Sequence, residues 1–553
     1  MIAEEIPDKL APKRAISPPG WGEVLALVLL IGYAVFVRLR LLTLPLERDE
    51  GEFAYGAQIL LRGLPPIAEA YAMKLPGIYV AYAFLIGLFG QTLVGVRLGL
   101  LLVHLLTLLT LYLLSRHLLG RLAGYTAAVA FVVLLNMPDV LGFAGHATQF
   151  VILFVLVGLL VLMGGRADTF PTLGRVFVAG LLFGIAVTMK QSGALLALVG
   201  AAYLLTLQGD LRTRLTSVVV LAGGGALPLA GIWGWLLATG VADRALFWNV
   251  DYAKAYATLM PASSALNALS KTIASEFAGP SLLVVLMFTL VGMTTPLWNK
   301  ELRKRWLFVT GLPLLGFLAV IPGFYFRPHY FVQALPGIAF ALGALVVAGR
   351  QYLPRVSGIV IASAVLVCSL GWQVLARANE IFRLTPTELC QVTYAGNPFV
   401  EAIPVAEYLQ KRCAPGEKIA IFGSEPEIFF YSKLRSATGH IYMYPLMEPQ
   451  PYAQQMQEEA MKQVVEANPR YIVMLVGRPS WLMRPKSDLS ILQWVDQLRQ
   501  ARYTPVAFAD MKPEGTEYIW DATVAHDYSP TPGSFLVVMR RRDTTEYPVG
   551  REK

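Results

Sequence analysis

The acidic run Leu46-Glu47-Arg48-Asp49-Glu50-Gly51-Glu52 directly follows the first long apolar stretch of the chain. Apolar residues such as Phe53, Ile59 and Leu60 continue it at helical spacing, so we expect the segment to lie against an apolar surface rather than project into water. Carboxylates held there have raised pKa values unless cations pair with them, and one of them could act as a general base for a hydroxyl group. The alternative is a solvated cap at a helix end, which is how most such charge runs behave.

Basic side chains stand at the ends of several apolar runs and could meet this acidic segment. They are Lys74, Arg97, Lys190, Arg327 and His329, the last followed by Tyr330. A charge at membrane depth is costly, so such residues tend to have a functional partner. Taken singly, each could instead extend to the lipid headgroups. Together they would suit a phosphate or pyrophosphate at the membrane surface.

The composition requires a lipid environment for much of the chain. Of 553 residues, 56% are hydrophobic and only 15% are charged, and the mean hydropathy is +0.55. A soluble globular protein carries about 25% charged residues. The net charge of +9 is spread over short loops between apolar runs, a distribution that sets membrane orientation. We therefore do not predict nucleic-acid binding, and the three cysteines form no CxxC pattern that would predict structural zinc.

Apolar runs of about 17 to 25 residues can cross the hydrocarbon core as helices. Eleven runs are predicted to do so. They are Trp21–Leu44, Gly95–Ser115, Leu122–Met137, Ala147–Gly164, Val176–Met189, Ala194–Leu207, Leu215–Ala238, Pro280–Trp298, Trp306–Pro322, Phe331–Ala348 and Val356–Ala376. Hydropathy alone would add Pro76–Gly90 as a twelfth.

The distribution of Lys and Arg argues against that twelfth span. If Pro76–Gly90 lies along the outer surface, six basic clusters fall on one side, which the positive-inside rule makes the cytoplasm. They are Lys9/Lys13/Arg14, Arg116/Arg121, Arg166/Arg175, Arg212/Arg214, Lys300/Arg303/Lys304/Arg305 and Arg350/Arg355. If it crosses, the first cluster lies opposite the other five. The prediction is an inside N-terminus, with external loops at 45–94 and 240–279.

The last third of the chain changes character. Residues 379–553 have ordinary polarity, with strand-like runs at Lys418–Phe422, Tyr471–Val476 and Phe535–Met539 and a helical stretch at Pro451–Ala467. The predicted organisation is a multi-span transmembrane domain over 1–378 and an extracytoplasmic α/β domain over 379–553. An oxidising exterior would allow a disulfide between Cys390 and Cys413.

The order of these residues resembles the start of the C-type (GT-C) membrane glycosyltransferases. The resemblance rests on Asp49-Glu50, Ala57-Gln58-Ile59-Leu60, Gly63, Lys74-Leu75-Pro76, Leu88-Phe89-Gly90 and Arg97, and continues in Gly180–Lys190, His329–Pro336 and Ile421–Tyr431. It is nearest to the protein O-mannosyltransferase-like enzymes, which include the lipid A aminoarabinose transferases. No single motif is specific. Their order and their common membrane side carry the resemblance.

The resemblance implies transfer of a hexose or pentose from a polyprenyl phosphate to a glycan, lipid or protein acceptor outside the cell membrane, with inversion. It implies that Asp49 is the base or orients the acceptor, with Glu50 beside it, and that Lys74 contacts the donor phosphate. Arg97, Lys190, Arg327, His329 and Tyr330 are weaker candidates for that contact. No cofactor is required, and a divalent metal is allowed but not predicted. Where relatives often carry a second carboxylate, this chain has His146 or Gln149.

Two other functions compete with this one. A transporter or flippase of a lipid-linked intermediate would share the spans and cations, but it predicts inverted repeats with broken helices, and we find no internal repeat. A receptor anchored by its spans would not explain why acids and cations collect at one membrane face. The sequence identifies neither the sugar nor the acceptor.

Overall fold

The computed structural model describes residues 20–164, 170–277, 279–352 and 356–542. The chain up to residue 376 is predominantly helical, because a backbone in lipid must satisfy its hydrogen bonds internally. The helices of this part are α1 (Trp21–Arg40), α2 (Arg48–Leu61), α3 (Gly77–Phe89), α4 (Leu93–Leu119), α5 (Arg121–Leu135), α6 (Ala147–Met163), α7 (Leu173–Met189), α8 (Gly193–Thr206), α9 (Leu211–Ala238), α10 (Ala242–Leu246), α11 (Ala253–Thr258), α12 (Ala265–Glu276), α13 (Pro280–Trp298), α14 (Lys300–Arg303), α15 (Leu312–Leu318), α16 (Leu335–Tyr352) and α17 (Val356–Ala376).

Each of the eleven predicted spans overlaps a helix of the structure, so the predicted polytopic helical fold is confirmed. By length and composition, five helical segments among the described residues can cross a membrane, from Trp21–Arg40 to Pro328–Arg350, and seven more are apolar but shorter. The number of crossings remains a prediction, as does the placement of α3 along the outer surface. Lys9, Lys13, Arg14, Arg166 and Arg355 of the basic clusters lie outside the described residues.

Small residues let the helices of the bundle approach closely. A Cβ atom added to Gly180 of α7 would lie 2.1 Å from the carbonyl oxygen of Leu221 in α9, and one added to Gly184 would lie 2.2 Å from that of Gly225. Such glycine contacts replace the hydrophobic effect as the source of packing between helices in lipid. On its other faces α9 is exposed, with Val219 and Leu237 each 69% accessible, as expected of a surface covered by lipid.

The C-terminal part is built on a mixed six-stranded sheet. Its strands are β1 (Lys418–Phe422), β2 (Arg435–Ser436), β3 (Tyr471–Val476), β4 (Tyr503–Lys512), β5 (Gly515–Ile519) and β6 (Ser534–Arg541), in the order β2-β1-β3-β6-β4-β5. β1 pairs in parallel with β2 and β3, and the other pairs are antiparallel. The three predicted strands are confirmed, whereas β2, β4 and β5 were not predicted.

Helices surround this sheet. They are α18 (Pro386–Thr393), α19 (Ala402–Gln410), α20 (Glu427–Ser432), α21 (Tyr444–Met447), α22 (Ala453–Ala467), α23 (Arg478–Trp481), α24 (Ser490–Arg502) and α25 (Ala522–Asp527). The predicted helix at Pro451–Ala467 is α22. Cys390 and Cys413 are not disulfide-bonded in the structure. The domain boundary at residues 378/379 remains a prediction.

Candidate active site

The acidic run forms the start of α2. Glu47 is the residue that caps this helix: its side chain accepts a hydrogen bond from the backbone N–H of Glu50 at 2.9 Å, and the Glu50 side chain accepts one from the backbone of Glu47 at 3.3 Å. This reciprocal cap satisfies two donors that the first helical turn leaves unpaired. It fixes the first turn, which carries Asp49, and Asp49 lines the cavity described below.

Asp49 lies between a cation and two imidazoles. Its Oδ1 is 3.6 Å from the ammonium nitrogen of Lys74. Its Oδ2 is 3.7 Å from Nδ1 of His146 and 3.9 Å from Nε2 of His329. Burial raises the pKa of the Asp49 carboxyl, but Lys74 and the two histidines outweigh burial and hold that pKa well below its ordinary value. Asp49 is therefore a carboxylate at neutral pH.

The two histidines come from distant parts of the chain and stack face to face. His146 precedes α6, and His329 lies in the 3-10 turn Pro328–Ala334 that leads into α16. Their ring centroids are 3.9 Å apart with an interplanar angle of 10°. Both ring nitrogens of His146 are buried without a hydrogen-bond partner among the described residues. Asp49, His146 and His329 each offer one ligand atom, and these three atoms lie within 4.8 Å of one another. The three residues could therefore hold a metal ion.

Lys74 is shared between Asp49 and Glu52. Its Nζ lies 3.4 Å from Oε2 of Glu52 and 4.5 Å from the centroid of the Phe53 ring. Glu52 is itself fixed by two phenols, because Tyr79 donates to it at 2.5 Å and Tyr442 at 2.7 Å. The position of the ammonium group is thus determined by α2, α3 and the C-terminal part together.

Two further cations lie nearby and have no carboxylate within 4 Å in the part of the chain that the structure describes. Lys190, at the corner between α7 and α8, places its Nζ 3.6 Å from the centroid of the Tyr330 ring. Burial, followed by the neighbouring charge of Lys74, lowers the pKa of Lys190 to about 7. Arg327 donates to the hydroxyl of Tyr256 at 3.3 Å, and its guanidinium lies 5.7 Å from the Tyr325 ring.

Glu50 and Arg97 contact each other and do not line the cavity described below. Arg97 donates to both carboxylate oxygens of Glu50, at 2.5 and 2.9 Å, and to the carbonyl oxygens of Leu44, Pro45 and Phe143. All five N–H donors of this guanidinium are thereby used. Both side chains are buried. These contacts favour a positioning role, and the catalytic and phosphate-binding roles predicted for the two residues remain untested.

A cavity of about 190 Å³ opens beside Asp49. One wall comes from the transmembrane part, and the other comes from the C-terminal part. It is lined by Glu47, Arg48, Asp49, Leu141, His146, Arg327, Pro328, His329, Tyr444 and Leu482. The two parts are tied together next to the cavity, because Arg48 donates to the carbonyl oxygen of Ser424 at 2.5 Å and forms an ion pair with buried Glu425 at 3.3 Å. The C-terminal part therefore completes the cavity.

The structure brings most of the predicted site residues together: Asp49, Lys74, Lys190, Arg327, His329 and Tyr330 surround one region, while Glu50 and Arg97 lie behind it. Sequence reasoning missed three contributors. His146 had a signal, since it stands where relatives often carry an acid. Glu47 also had a sequence signal, because it stands two residues before Asp49 in the acidic run. Burial raises the pKa of Glu47 to about 7 against the opposing effect of His146. Tyr444 lies far along the chain, and no sequence pattern pointed to it.

Comparisons with known proteins agree with this architecture. Residues 74–237 match the family model described as dolichyl-phosphate-mannose-protein mannosyltransferase. The crystal structure of ArnT from Cupriavidus metallidurans bound to undecaprenyl phosphate is similar over 93% of this chain and 97% of that one, at 16% identity and a TM-score of 0.55. The apo structure of the same protein is similar over 94% and 98%, at 15% identity and a TM-score of 0.51. The comparison with curated proteins finds no match.

The shared fold and the family match agree with the resemblance found in the sequence. The chain has the fold of the two ArnT structures, and residues 74–237 match the mannosyltransferase family model, as expected from the resemblance to the GT-C membrane glycosyltransferases. The apolar helices and this fold make it a multi-pass membrane protein.

Proposed function

We propose that this protein is a GT-C membrane glycosyltransferase that moves a sugar from a polyprenyl-phosphate donor to an acceptor hydroxyl on the extracytoplasmic face of the cell membrane, with inversion at the anomeric carbon. The observation that carries the proposal is the meeting of Asp49 with Lys74, Lys190 and Arg327, four charged residues that are far apart in sequence. The ArnT structure that shares this fold was determined with undecaprenyl phosphate bound, which supports a donor of that chemical class.

The proposed reaction is a single displacement. The acceptor oxygen forms a bond to the anomeric carbon from the side opposite the phosphate, so the configuration inverts. The bond between that carbon and the phosphate oxygen breaks, and its electron pair leaves on polyprenyl phosphate. The acceptor proton passes to the carboxylate of Asp49, or, if Asp49 only orients the acceptor, to the departing phosphate.

The cations would bind and stabilise the leaving phosphate. Phosphate is already a stable anion, so fixed positive charge near it is the main contribution that the protein must make. Lys190 and Arg327 are suited to this role because, among the described residues, neither is neutralised by a carboxylate within ion-pair distance. Tyr330 holds the ammonium group of Lys190 over its ring. Lys74 would link donor and acceptor, since it already contacts Asp49.

The Glu50–Arg97 pair would hold the first turn of α2 at a fixed position relative to the loop before α6. Glu50 accepts a hydrogen bond from the backbone N–H of Gly145 at 2.6 Å, and Arg97 holds the carbonyl oxygen of Phe143. The pair thus connects the first turn of α2 to the loop that ends at His146. We infer that it sets the distance between Asp49 and His146 and takes no part in the chemistry.

The distribution of basic residues and the position of the cavity support the proposed side of the membrane. The positive-inside rule places Arg116, Arg212 and Lys304 in the cytoplasm. Tyr444 and Leu482 line the same cavity as Asp49, so the cavity and the α/β part lie on one side, which we assign to the exterior. In a cell with two membranes this corresponds to the outer face of the inner membrane.

Substitution of Asp49 tests the proposal. In a transfer assay with purified protein and polyprenyl-phosphate sugars, Asp49→Asn should lower the rate by about 100-fold or more, the usual effect of losing a positioned base. The matched control is Asp243→Asn, since Asp243 is an exposed aspartate outside the site, and it should transfer at the unchanged rate. Mass spectrometry of lipids that copurify with the protein would identify the donor. Full activity of Asp49→Asn in a folded protein would refute the proposed role.

A further inference from the structure

We infer that Arg48 is a positioning residue for Asp49, and that the α/β part holds Arg48 in place through Glu425. The inference rests on the proposed role of Asp49 and extends it, because it gives the C-terminal part a function in the reaction. Arg48 directly precedes Asp49 in the first turn of α2. The two side chains therefore share one short segment of backbone, and a contact that fixes Arg48 limits the directions open to Asp49.

The guanidinium of Arg48 is held by residues of the C-terminal part. Its Nε donates to the carbonyl oxygen of Ser424 at 2.5 Å, and its Nη2 donates to the amide oxygen of Asn397 at 3.2 Å. The same Nη2 lies 3.3 Å from Oε1 of Glu425, and the guanidinium carbon lies 5.7 Å from the centroid of the Phe399 ring. These contacts come from two separate loops, so they constrain the guanidinium in more than one direction.

Glu425 lies where the parallel strands of the sheet end. β1 ends at Phe422 and lies between β2 and β3, both of which are parallel to it. The chain leaves β1 towards β2 on one side, whereas β3 lies on the other side. Open α/β sheets bind their ligands at such a point, outside the carboxyl ends of the strands. In this protein Arg48 takes that position, so the α/β part receives a side chain of its own chain where other such sheets receive a ligand.

The carboxylate of Glu425 is itself fixed. It is 0% exposed, and it accepts a hydrogen bond from the hydroxyl of Ser480, which follows β3. Ser480 is tied to the loop after β1, because its carbonyl oxygen accepts a hydrogen bond from Ser424 at 2.6 Å. A Cβ atom added to Gly423 would lie 2.1 Å from Oε2 of Glu425, so the glycine leaves room for the carboxylate. A rigid anion therefore faces Arg48.

The ion pair anchors the start of α2. Among the described residues, Arg48 is the one cation within ion-pair distance of Glu425. Because a buried charge without a partner is costly, the two residues hold each other in place. A helix turns by about 100° per residue, so Arg48 can face the C-terminal part while Asp49 faces Lys74. The anchor thus fixes the direction of Asp49, and a misplacement of about 1 Å at a reacting group can slow catalysis by about 100-fold.

A double variant separates positioning from stability. Arg48→Met with Glu425→Gln removes both charges, so no buried charge is left without a partner and the net charge near the cavity is unchanged. Its thermal unfolding midpoint in detergent should lie within about 3 °C of that of the wild type. Its KM for the donor should stay within about twofold, because Lys190 and Arg327 are untouched. Its kcat for transfer should nevertheless fall by about tenfold or more, since the start of α2 has lost its anchor.

Single variants and an exposed pair complete the comparison. Arg48→Met alone leaves a buried carboxylate, so its unfolding midpoint should fall by about 5 °C or more. Arg48→Lys keeps the charge but loses the planar fork, so its kcat should fall less than that of the double variant. The control is Arg499→Met with Asp496→Asn, a pair on α24 whose side chains are 41% and 50% exposed. Its kcat should equal that of the wild type.

The outcomes separate this inference from the proposed function. A double variant with both the unfolding midpoint and the kcat of the wild type would overturn the positioning role, because the pair would then serve stability alone. If the double variant does not fold, Arg48→Lys decides the question, and an unchanged kcat there would overturn the role. In either case an inactive Asp49→Asn would leave the proposed function intact. Full activity of Asp49→Asn would instead overturn the proposed role of Asp49 and the role of Arg48 with it.

Discussion

The ammonium group of Lys74 lies 3.6 Å from Oδ1 of Asp49, and this pair couples the predicted phosphate-binding residue to the predicted base. Glu52 holds the same ammonium group from its other side at 3.4 Å. If Lys74 moved away from the acidic cluster, both carboxylates would lose an ion-pair partner. One of them, Glu52, is only 1% exposed. The charge of Lys74 is part of the site even before a donor binds.

Replacing Lys74 by Met should lower the rate of sugar transfer by about 100-fold, because a preorganised positive charge near the leaving group is lost. Lys74→Arg keeps the charge and should retain more activity than Lys74→Met. The measurement is the transfer rate of purified variants at saturating donor. As a control, Lys462→Met removes a lysine that is 77% exposed and lies on α22, and it should leave the rate unchanged. Equal rates for Lys74→Met and the wild type would exclude the proposed contact.

Donor binding should weaken as the pH rises through neutrality. Burial and the charge of Lys74 lower the pKa of Lys190 to about 7. Because only the protonated amine attracts phosphate, the protonated fraction and the donor affinity should both fall by up to about tenfold from about pH 6 to about pH 8. A donor-binding titration across this range measures the effect.

Two variants of Lys190 separate this effect from other titrations. Lys190→Arg stays protonated, so its donor affinity should depend less on pH than that of the wild type. Lys190→Met should bind the donor weakly throughout. An unchanged pH dependence in both variants would mean that another group is responsible.

The sequence could predict the helices and part of the sheet because those elements are encoded locally. The bounds of β1 and β3 were predicted to the residue, since both are short apolar runs. β4 was missed because Pro505, Asp510 and Lys512 interrupt its pattern. The pairing of β4 with β6 also shifts register between Pro505 and Ala507, an irregularity that only the folded sheet shows.

Within the site, the charged residues could be chosen from sequence, but their partners could not. Asp49 and Glu50 are adjacent, and a helix turns by about 100° per residue. One therefore faces the cavity and the other faces Arg97, and the sequence alone does not state which. The contact of His146 with Asp49 depends on how the loop before α6 folds over α2, which is tertiary information.

The buried pair Glu50–Arg97 should make a large contribution to the free energy of unfolding. Removing one partner of a buried ion pair leaves an uncompensated charge and costs about 3–5 kcal/mol. Arg97→Met and Glu50→Gln are each expected to lower the free energy of unfolding by about this much, as measured by chemical unfolding in detergent. Glu466→Gln breaks an ion pair with Lys462 in which the Lys462 side chain is 77% exposed and the Glu466 side chain is 63% exposed. This variant should change the free energy of unfolding by less than about 1 kcal/mol. Comparable losses in the three variants would show that burial does not set the energy of the pair.

Labelling of introduced cysteines tests the assigned membrane side. The background has Cys368, Cys390 and Cys413 replaced by Ser, so that only the new thiol reacts. Lys433 is exposed and follows α20, the helix that packs on α2. Because we place the cavity and the α/β part outside, Lys433→Cys should react with a membrane-impermeant maleimide in intact cells, or in spheroplasts if there is an outer membrane.

Lys304→Cys provides the matched position on the other side. Lys304 is also exposed and belongs to the basic cluster that begins with Lys300 of α14, which the positive-inside rule assigns to the cytoplasm. Its thiol should react only after the cells are permeabilised. Reaction of Lys304→Cys but not of Lys433→Cys in intact cells would place Asp49 on the cytoplasmic side. A donor whose sugar is presented outside the membrane could then not reach the carboxylate, and the assignment of the acceptor side would have to be reversed.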